Sequence, residues 1–163
     1  DCLRYHMVYM NTDSNYQIIC DDSEATKSLA AGLAKQLRGG EVIELIGDLG
    51  AGKTTFVSGL VEALNYDQPV TSPTFSLVNI YKTDSLEINH FDLYRLDELG
   101  ETLHEIEEAI SKQNSVTIIE WAKQNDHIKD IIKIQIRPQV DENKRLLEFA
   151  IPDNYKYLEK ALI

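Results

Sequence analysis

The sequence predicts one α/β domain in three layers, with a mixed sheet whose parallel core is flanked by antiparallel hairpins. Three observations carry that expectation. A short apolar run, Val42 to Ile46, leads into a glycine-rich stretch, Gly47 to Thr54, and then into apolar residues at helical spacing. A β-branched run, Ser115 to Trp121, reads as a second buried strand. Two further pairs of strand-length segments are joined by connections too short for a parallel crossover.

The glycine-rich stretch explains the parallel core. Gly47-Asp48-Leu49-Gly50-Ala51-Gly52-Lys53-Thr54 satisfies G-x-x-x-x-G-K-[ST] at every fixed position. Backbone N–H groups must close around a phosphate in such a loop, and a Cβ at its glycines would block that approach. The residues from Asp48 and Gly50 to Thr55 are therefore the candidate phosphate contacts. Lys53 supplies a point charge for the outer phosphates, Thr54 a hydroxyl for a phosphate-bound Mg²⁺, and the helix that starts here points its positive end at the anion. The sequence thus predicts a phosphate-loop NTPase domain.

Length and composition agree. The 163 residues, 43% hydrophobic and 26% charged, suit a single core of ordinary size. No apolar run reaches the length of a membrane span and no secretory signal is readable, so the expected location is the cytoplasm, away from any membrane. Residues 1–15 read as a disordered lead or cloning remnant, leaving 16–163 as the domain. Cys2 and Cys20 sit in no metal-ligand or redox spacing. The formal charge of −11 comes with no basic cluster, which either serves solubility alone or leaves contact with a polyanion to another subunit.

The remaining elements follow in order. Tyr16 to Cys20 is a strand, and Asp21-Asp22-Ser23 supplies acidic residues and a capping hydroxyl for a helix through Leu29, Leu33 and Leu37, ended by Gly39-Gly40. After the loop helix, with Phe56, Val57, Leu60, Val61 and Leu64 on its apolar stripe, Thr71-Ser72-Pro73-Thr74 is an extended, hydroxyl-rich loop. Its hydroxyls either face a γ-phosphate and its metal or cap their own backbone. Phe75 to Tyr81 and Leu86 to Phe91 form a hairpin. Asp92, at the end of the second strand, is either a metal or water partner or a turn residue, and His90 reads as a packed or surface histidine.

Helical periodicity runs from Asp97 to Ser111, interrupted at Gly100. Ser115 to Glu120 then ends a buried strand on a carboxylate, the placement of an acidic residue near the metal or attacking water in phosphate-loop NTPases. Glu120 ranks first for that role and Asp92 second. Ile132, Ile134 and Ile136 alternate, as do Leu147, Phe149 and Ile151, which predicts a closing hairpin, and Tyr155 to Leu162 reads as a short final helix.

Four blocks together resemble the TsaE (formerly YjeE) family: the glycine-rich loop through Thr55-Phe56; Thr71-Ser72-Pro73-Thr74-Phe75 with Leu77-Val78; His90-Phe91-Asp92-Leu93-Tyr94-Arg95-Leu96; and Ile119-Glu120-Trp121-Ala122. The resemblance implies a weak Mg²⁺-dependent ATPase that serves threonylcarbamoyl transfer to tRNA with two partners, TsaD and TsaB, and meets tRNA only through the complex. It implies that Thr54 and Glu120 hold Mg²⁺, that Lys53 contacts the β- and γ-phosphates, and that Ser72 to Thr74 form a switch-like loop. Lys53, Glu120, Asp92 and Thr74 become the catalytic candidates. Trp121 is expected beside the nucleotide, and Ser23 and Arg145 on its adenine side. From the residues alone a small-molecule kinase stays open, as does a subunit that binds nucleotide without useful hydrolysis. A GTPase is disfavoured because Asn143-Lys144 continues as Arg145-Leu146 rather than completing N-K-x-D.

Overall fold

The computed structural model describes residues 5–10, 15–73, 76–94, 100–121 and 128–163. Its elements are β1 (Tyr5–Met10), β2 (Asn15–Cys20), α1 (Ser23–Ala34), β3 (Val42–Ile46), α2 (Lys53–Glu62), β4 (Val78–Lys82), β5 (Glu87–Asp92), α3 (Gly100–Ser111), β6 (Ser115–Glu120), β7 (Ile131–Pro138), β8 (Arg145–Ala150) and a 3-10 helix, Asp153–Ala161. Among the described residues the strands form one eight-stranded sheet in the order β1-β2-β8-β7-β3-β6-β5-β4.

The expected mixture is observed. β7, β3, β6 and β5 run parallel, while β4–β5, β7–β8, β2–β8 and β1–β2 pair antiparallel. β6 is buried at all six positions, as a strand with neighbours and covering layers on both sides must be. On one face Ile43, Leu45, Ile88, Val116 and Ile118 pack with Leu29 and Leu33 of α1, Phe56 and Leu60 of α2 and Leu158 of the 3-10 helix. On the other, Val42, Phe91 and Ile119 pack with Ile106 and Ala109 of α3. Two helical layers around a sheet follow from the period of two in the strands.

The helices on the first face approach closely at Gly59. A Cβ there would stand 2.5 Å from the Lys27 Cα and 2.6 Å from its carbonyl oxygen, so only glycine lets α1 and α2 meet at this distance. Lys27 and Glu62 add an ion pair of 3.2 Å across the same contact.

Four local readings are corrected. Tyr5–Met10, set aside in the sequence as a lead, is an edge strand running from Tyr5 opposite Cys20 to Met10 opposite Tyr16, with an irregularity between Met7 and Tyr9. Its side chains Met7 and Val8 are exposed, so it carries no clean alternation to betray it. α1 is capped by Asp22, whose Oδ1 accepts from the Ala25 N–H at 2.8 Å, rather than by the Ser23 hydroxyl. The same helix stops at Ala34, not at the glycine pair, because the buried Glu41 carboxylate takes the Arg38 and Gly39 N–H groups at 2.7 and 2.8 Å. Those donors are thereby lost to the helical ladder. The final helix is 3-10, with a kink at Tyr155. Asp97 to Leu99, expected to open the third helix, lie outside the described residues.

No helix among the described residues is long and apolar enough to cross a membrane.

Candidate functional site

The parallel strands bring three chain segments to one edge of the sheet. The glycine loop leaves the carboxyl end of β3, and on the neighbouring strands Leu45 pairs with Glu120 and Glu120 with Asp92. Ligand sites in parallel α/β sheets collect at this carboxyl edge. Here the register sets both acidic candidates side by side next to the loop.

Within the loop Gly52 adopts φ 111° as the residue that opens α2. That left-handed conformation is strained for any residue with a Cβ. No side chain caps α2 and no acidic residue occupies its first turn, so its positive end is left to whatever lies in front of it. In front lies a cavity of about 280 Å³ lined by Leu49 to Thr55 together with Ser72, Asp92, Glu120 and Trp121.

Lys53 is the buried cation of this cavity. Its Nζ donates to the carbonyl oxygens of Gly47 (2.5 Å) and Asp48 (3.2 Å), lies 4.0 Å from Glu120 Oε2 and stands 4.5 Å from the centre of the Trp121 ring. The α2 helix fixes its root, and the loop carbonyls hold its tip over the space between helix and carboxylate. Trp121 itself takes φ 58°, an uncommon conformation for a large residue, and its ring packs at 4.8 Å from that of Tyr94.

The carboxylates have different partners. Asp92 accepts from the Ser72 hydroxyl at Oδ2 and from the Tyr94 N–H at Oδ1, both at 3.1 Å. Glu120, 3% exposed, meets His90 Nε2 at 2.8 Å through Oε1. The loop carrying Ser72 is tied down from behind, because Asn79 Nδ2 (2.9 Å) and the Tyr81 hydroxyl (3.2 Å) both donate to the Thr71 carbonyl. Burial raises the Tyr81 phenol above its ordinary pKa, which keeps it protonated as that donor.

The cavity thus gathers Gly50, Ala51, Gly52, Lys53, Thr54, Thr55, Asp92, Glu120 and Trp121 of the residues singled out in the sequence. Asp48 lines a second cavity, about 530 Å³, with Glu44, Gln135 and Arg137; it shares Trp121 with the first but holds neither Lys53 nor Thr54. The smaller cavity therefore holds Lys53, Thr54 and the start of α2. Arg145 lies outside both linings and is spent on backbone, its Nε donating to the Ala51 carbonyl at 2.8 Å and its Nη1 to those of Glu142 and Lys144. Ser23, exposed at the start of α1, lines neither cavity; Cys20, three residues before it, pairs with Arg145 across β2 and β8. Thr74 lies outside the described residues.

His90 is the residue that a reading of the sequence passes over. Its signal was the period of two: His90 and Asp92 share one face of β5, and a parallel neighbour ending on Glu120 places that carboxylate on the same face. Tyr81 escaped for the same reason, since only pairing between strands brings it to the loop.

Comparison with known proteins settles the lineage. Residues 20–147 match the family model described as threonylcarbamoyl adenosine biosynthesis protein TsaE. The chain belongs to the TsaE family. It is 41% identical over 131 residues to the tRNA threonylcarbamoyladenosine biosynthesis protein TsaE of Aquifex aeolicus, covering 79% of this chain and 91% of that one. The TsaE protein of Bacillus subtilis is 34% identical over 141 residues, 85% of this chain and 88% of its own. A crystal structure of YdiB from Bacillus subtilis superposes with a TM-score of 0.71 at 29% identity, over 94% of this chain and 97% of that one. The TsaE resemblance carried by the four sequence blocks is borne out, and the α/β fold with its mixed sheet is that of a solved relative.

Proposed function

We propose that this TsaE-family chain is a P-loop ATPase that binds ATP with Mg²⁺, hydrolyses it weakly by itself, and supports threonylcarbamoyl transfer to adenosine 37 of tRNA as one subunit of a complex. The observation that carries the reading is one cavity holding an uncapped helix N-terminus, a buried lysine, a threonine hydroxyl and two carboxylates on adjacent strand ends. Those are the parts that phosphoryl transfer to water requires.

Each residue then has a task. The amides from Gly50 to Thr55 close around the phosphates, and Lys53 moves from the Gly47 and Asp48 carbonyls to the β- and γ-phosphate oxygens. Thr54 and Glu120 offer hard oxygen donors suited to Mg²⁺, with Asp92 beside them. Among the described residues no group of three or more His, Cys, Asp or Glu could hold a metal alone. When bound, the ion neutralises charge developing on the transferred phosphoryl group. Asp92, held by Ser72, orients the attacking water, and Thr74 is a further catalytic candidate. Trp121 covers the nucleotide.

Adenine is the proposed base, with Ser23 and Arg145 on its side of the loop. The charge of −11 supports contact with tRNA through other subunits rather than directly, and the family resemblance supplies TsaD- and TsaB-type partners in the cytoplasm as the proposed setting.

Trp121 is the single tryptophan of the chain, so its fluorescence reports the cavity directly. ATP with Mg²⁺ should change that signal saturably, GTP should do so less, and Lys53→Ala should abolish the response. No response to any nucleotide, or one that Lys53→Ala leaves intact, would overturn the reading.

A further inference from the structure

His90 presents no ring surface to solvent, and the same is nearly true of Glu120. Its Nε2 is engaged at 2.8 Å by Glu120 Oε1, while its Nδ1, also buried, has no hydrogen-bond partner among the described residues. The ring stacks on Tyr81, centroids 6.3 Å apart at 30°, which in turn donates to Thr71 beside Ser72. A histidine so placed lines neither cavity, yet it contacts the carboxylate that lines the smaller one.

We propose that His90 is the positioning residue of Glu120: its Nε2–H donates to Oε1 and thereby keeps Oε2 turned to the cavity, 4.0 Å from Lys53 Nζ. This rests on Glu120 being the metal-side carboxylate of the proposed ATPase. The proton on Nε2 follows by elimination. An Nδ1–H imidazole would set two acceptors against each other at 2.8 Å.

The arrangement is a carboxylate with one oxygen committed to the protein and one offered to the site. Outer partners of metal ligands commonly contribute about 10- to 100-fold in affinity or activity. The β5–β6 register makes this possible, since His90 sits opposite Ile118 and reaches diagonally to Glu120.

The test compares wild type, His90→Gln and His90→Phe. Glutamine places an amide N–H near the Nε2 position, whereas phenylalanine keeps the ring and removes the donor. We expect His90→Phe to bind ATP without Mg²⁺ as wild type does by Trp121 fluorescence, but to need about tenfold more Mg²⁺ or to lose about tenfold in kcat with KM little changed. His90→Gln should restore most of that loss. In a Glu120→Gln background, His90→Phe should cost nothing further. Nitrogen-15 NMR of the wild-type ring should show a proton on Nε2.

A ring without a proton on Nε2 would overturn the proposal, as would equal damage from glutamine and phenylalanine or none from either. Should His90→Phe fail to fold, the ring signature and the His90→Gln response still decide. If Glu120→Gln leaves the Mg²⁺ response untouched, the metal reading of Glu120 fails, while the ring tautomer still reports whether His90 donates to Glu120.

Discussion

Lys53 Nζ and Glu120 Oε2 face each other across 4.0 Å inside the cavity, both almost wholly buried, one rooted in α2 and the other at the end of β6. The two opposite charges flank the space that a phosphate chain and its ion would share. Removing one should therefore differ from removing the other. Lys53→Ala should abolish nucleotide binding, whereas Glu120→Gln, which keeps shape, should retain binding and lose on the order of 100-fold in kcat. Fluorescence titration and steady-state turnover of the two variants check this, and equal loss of binding in both would contradict it.

Asp92 has its two oxygens held by Ser72 and by the Tyr94 N–H. Ser72→Ala frees one carboxylate oxygen without touching the glycine loop. Turnover should fall by about 10-fold, the scale of a hydrogen bond to a charged group, while KM for ATP stays near the wild-type value. A rise in KM at constant kcat would instead place Ser72 in ground-state binding.

Gly59 should be as sensitive to substitution as a core residue. Gly59→Ala forces the α1 and α2 backbones apart at Lys27. The expected cost is about 1–3 kcal/mol, read from urea unfolding, with no change of m-value. The nucleotide response should survive, because the strain lies at the far side of α2 from its first turn.

The C-terminal 3-10 helix is tied to the sheet through Glu41, which accepts a short hydrogen bond from the Tyr157 hydroxyl at 2.5 Å while Arg38 stacks on the Tyr157 ring at 3.9 Å. Burial, then that bond, raises the Tyr157 phenol far above its usual range. Tyr157→Phe should cost about 1.5–3 kcal/mol, as for a lost bond to a charged acceptor. Chemical denaturation of the full chain measures it.

Cys20 is buried and its thiol is pushed up to about 11, chiefly by that burial. The unfolded chain therefore loses the thiol proton at lower pH than the folded one does. This contribution to stability is complete below the ordinary thiol pKa of about 8.5 and drains away as pH rises toward 11. Cys20→Val should flatten the fall in melting temperature between those pH values. An unchanged slope would show that the thiol stays protonated in neither state or both.

How much of this could be read from the chain depends on how local each signal is. The strand, glycine loop and helix from Val42 to Leu64 are contiguous, so pattern and period suffice to place Lys53 and Thr54. Glu120 is nearly as legible, because a strand buried on both faces is apolar throughout and its terminal carboxylate stands out. Asp92 is not, since its claim depends on the register that pairs it with Glu120. His90 and Tyr81 depend on the same pairing, and the period of two that puts His90 on the face of Asp92 does not reveal it without the register. The edge strand Tyr5–Met10 is hidden for another reason: an edge needs little burial, so nothing in its composition demands a strand. At the start of α1, two acidic residues and a serine compete for one cap, and the geometry at Asp22 decides.

ATP consumption by this chain tests the central claim most directly, measured with Mg²⁺, alone and with TsaD- and TsaB-type partners, against GTP and a panel of small metabolites. The account predicts slow turnover alone, stimulation by the partners, little with GTP and none in Lys53→Ala. Turnover that requires a metabolite and leaves it phosphorylated would contradict it and make the chain a kinase, and binding of ATP with no turnover under any condition would reduce it to a nucleotide-responsive subunit.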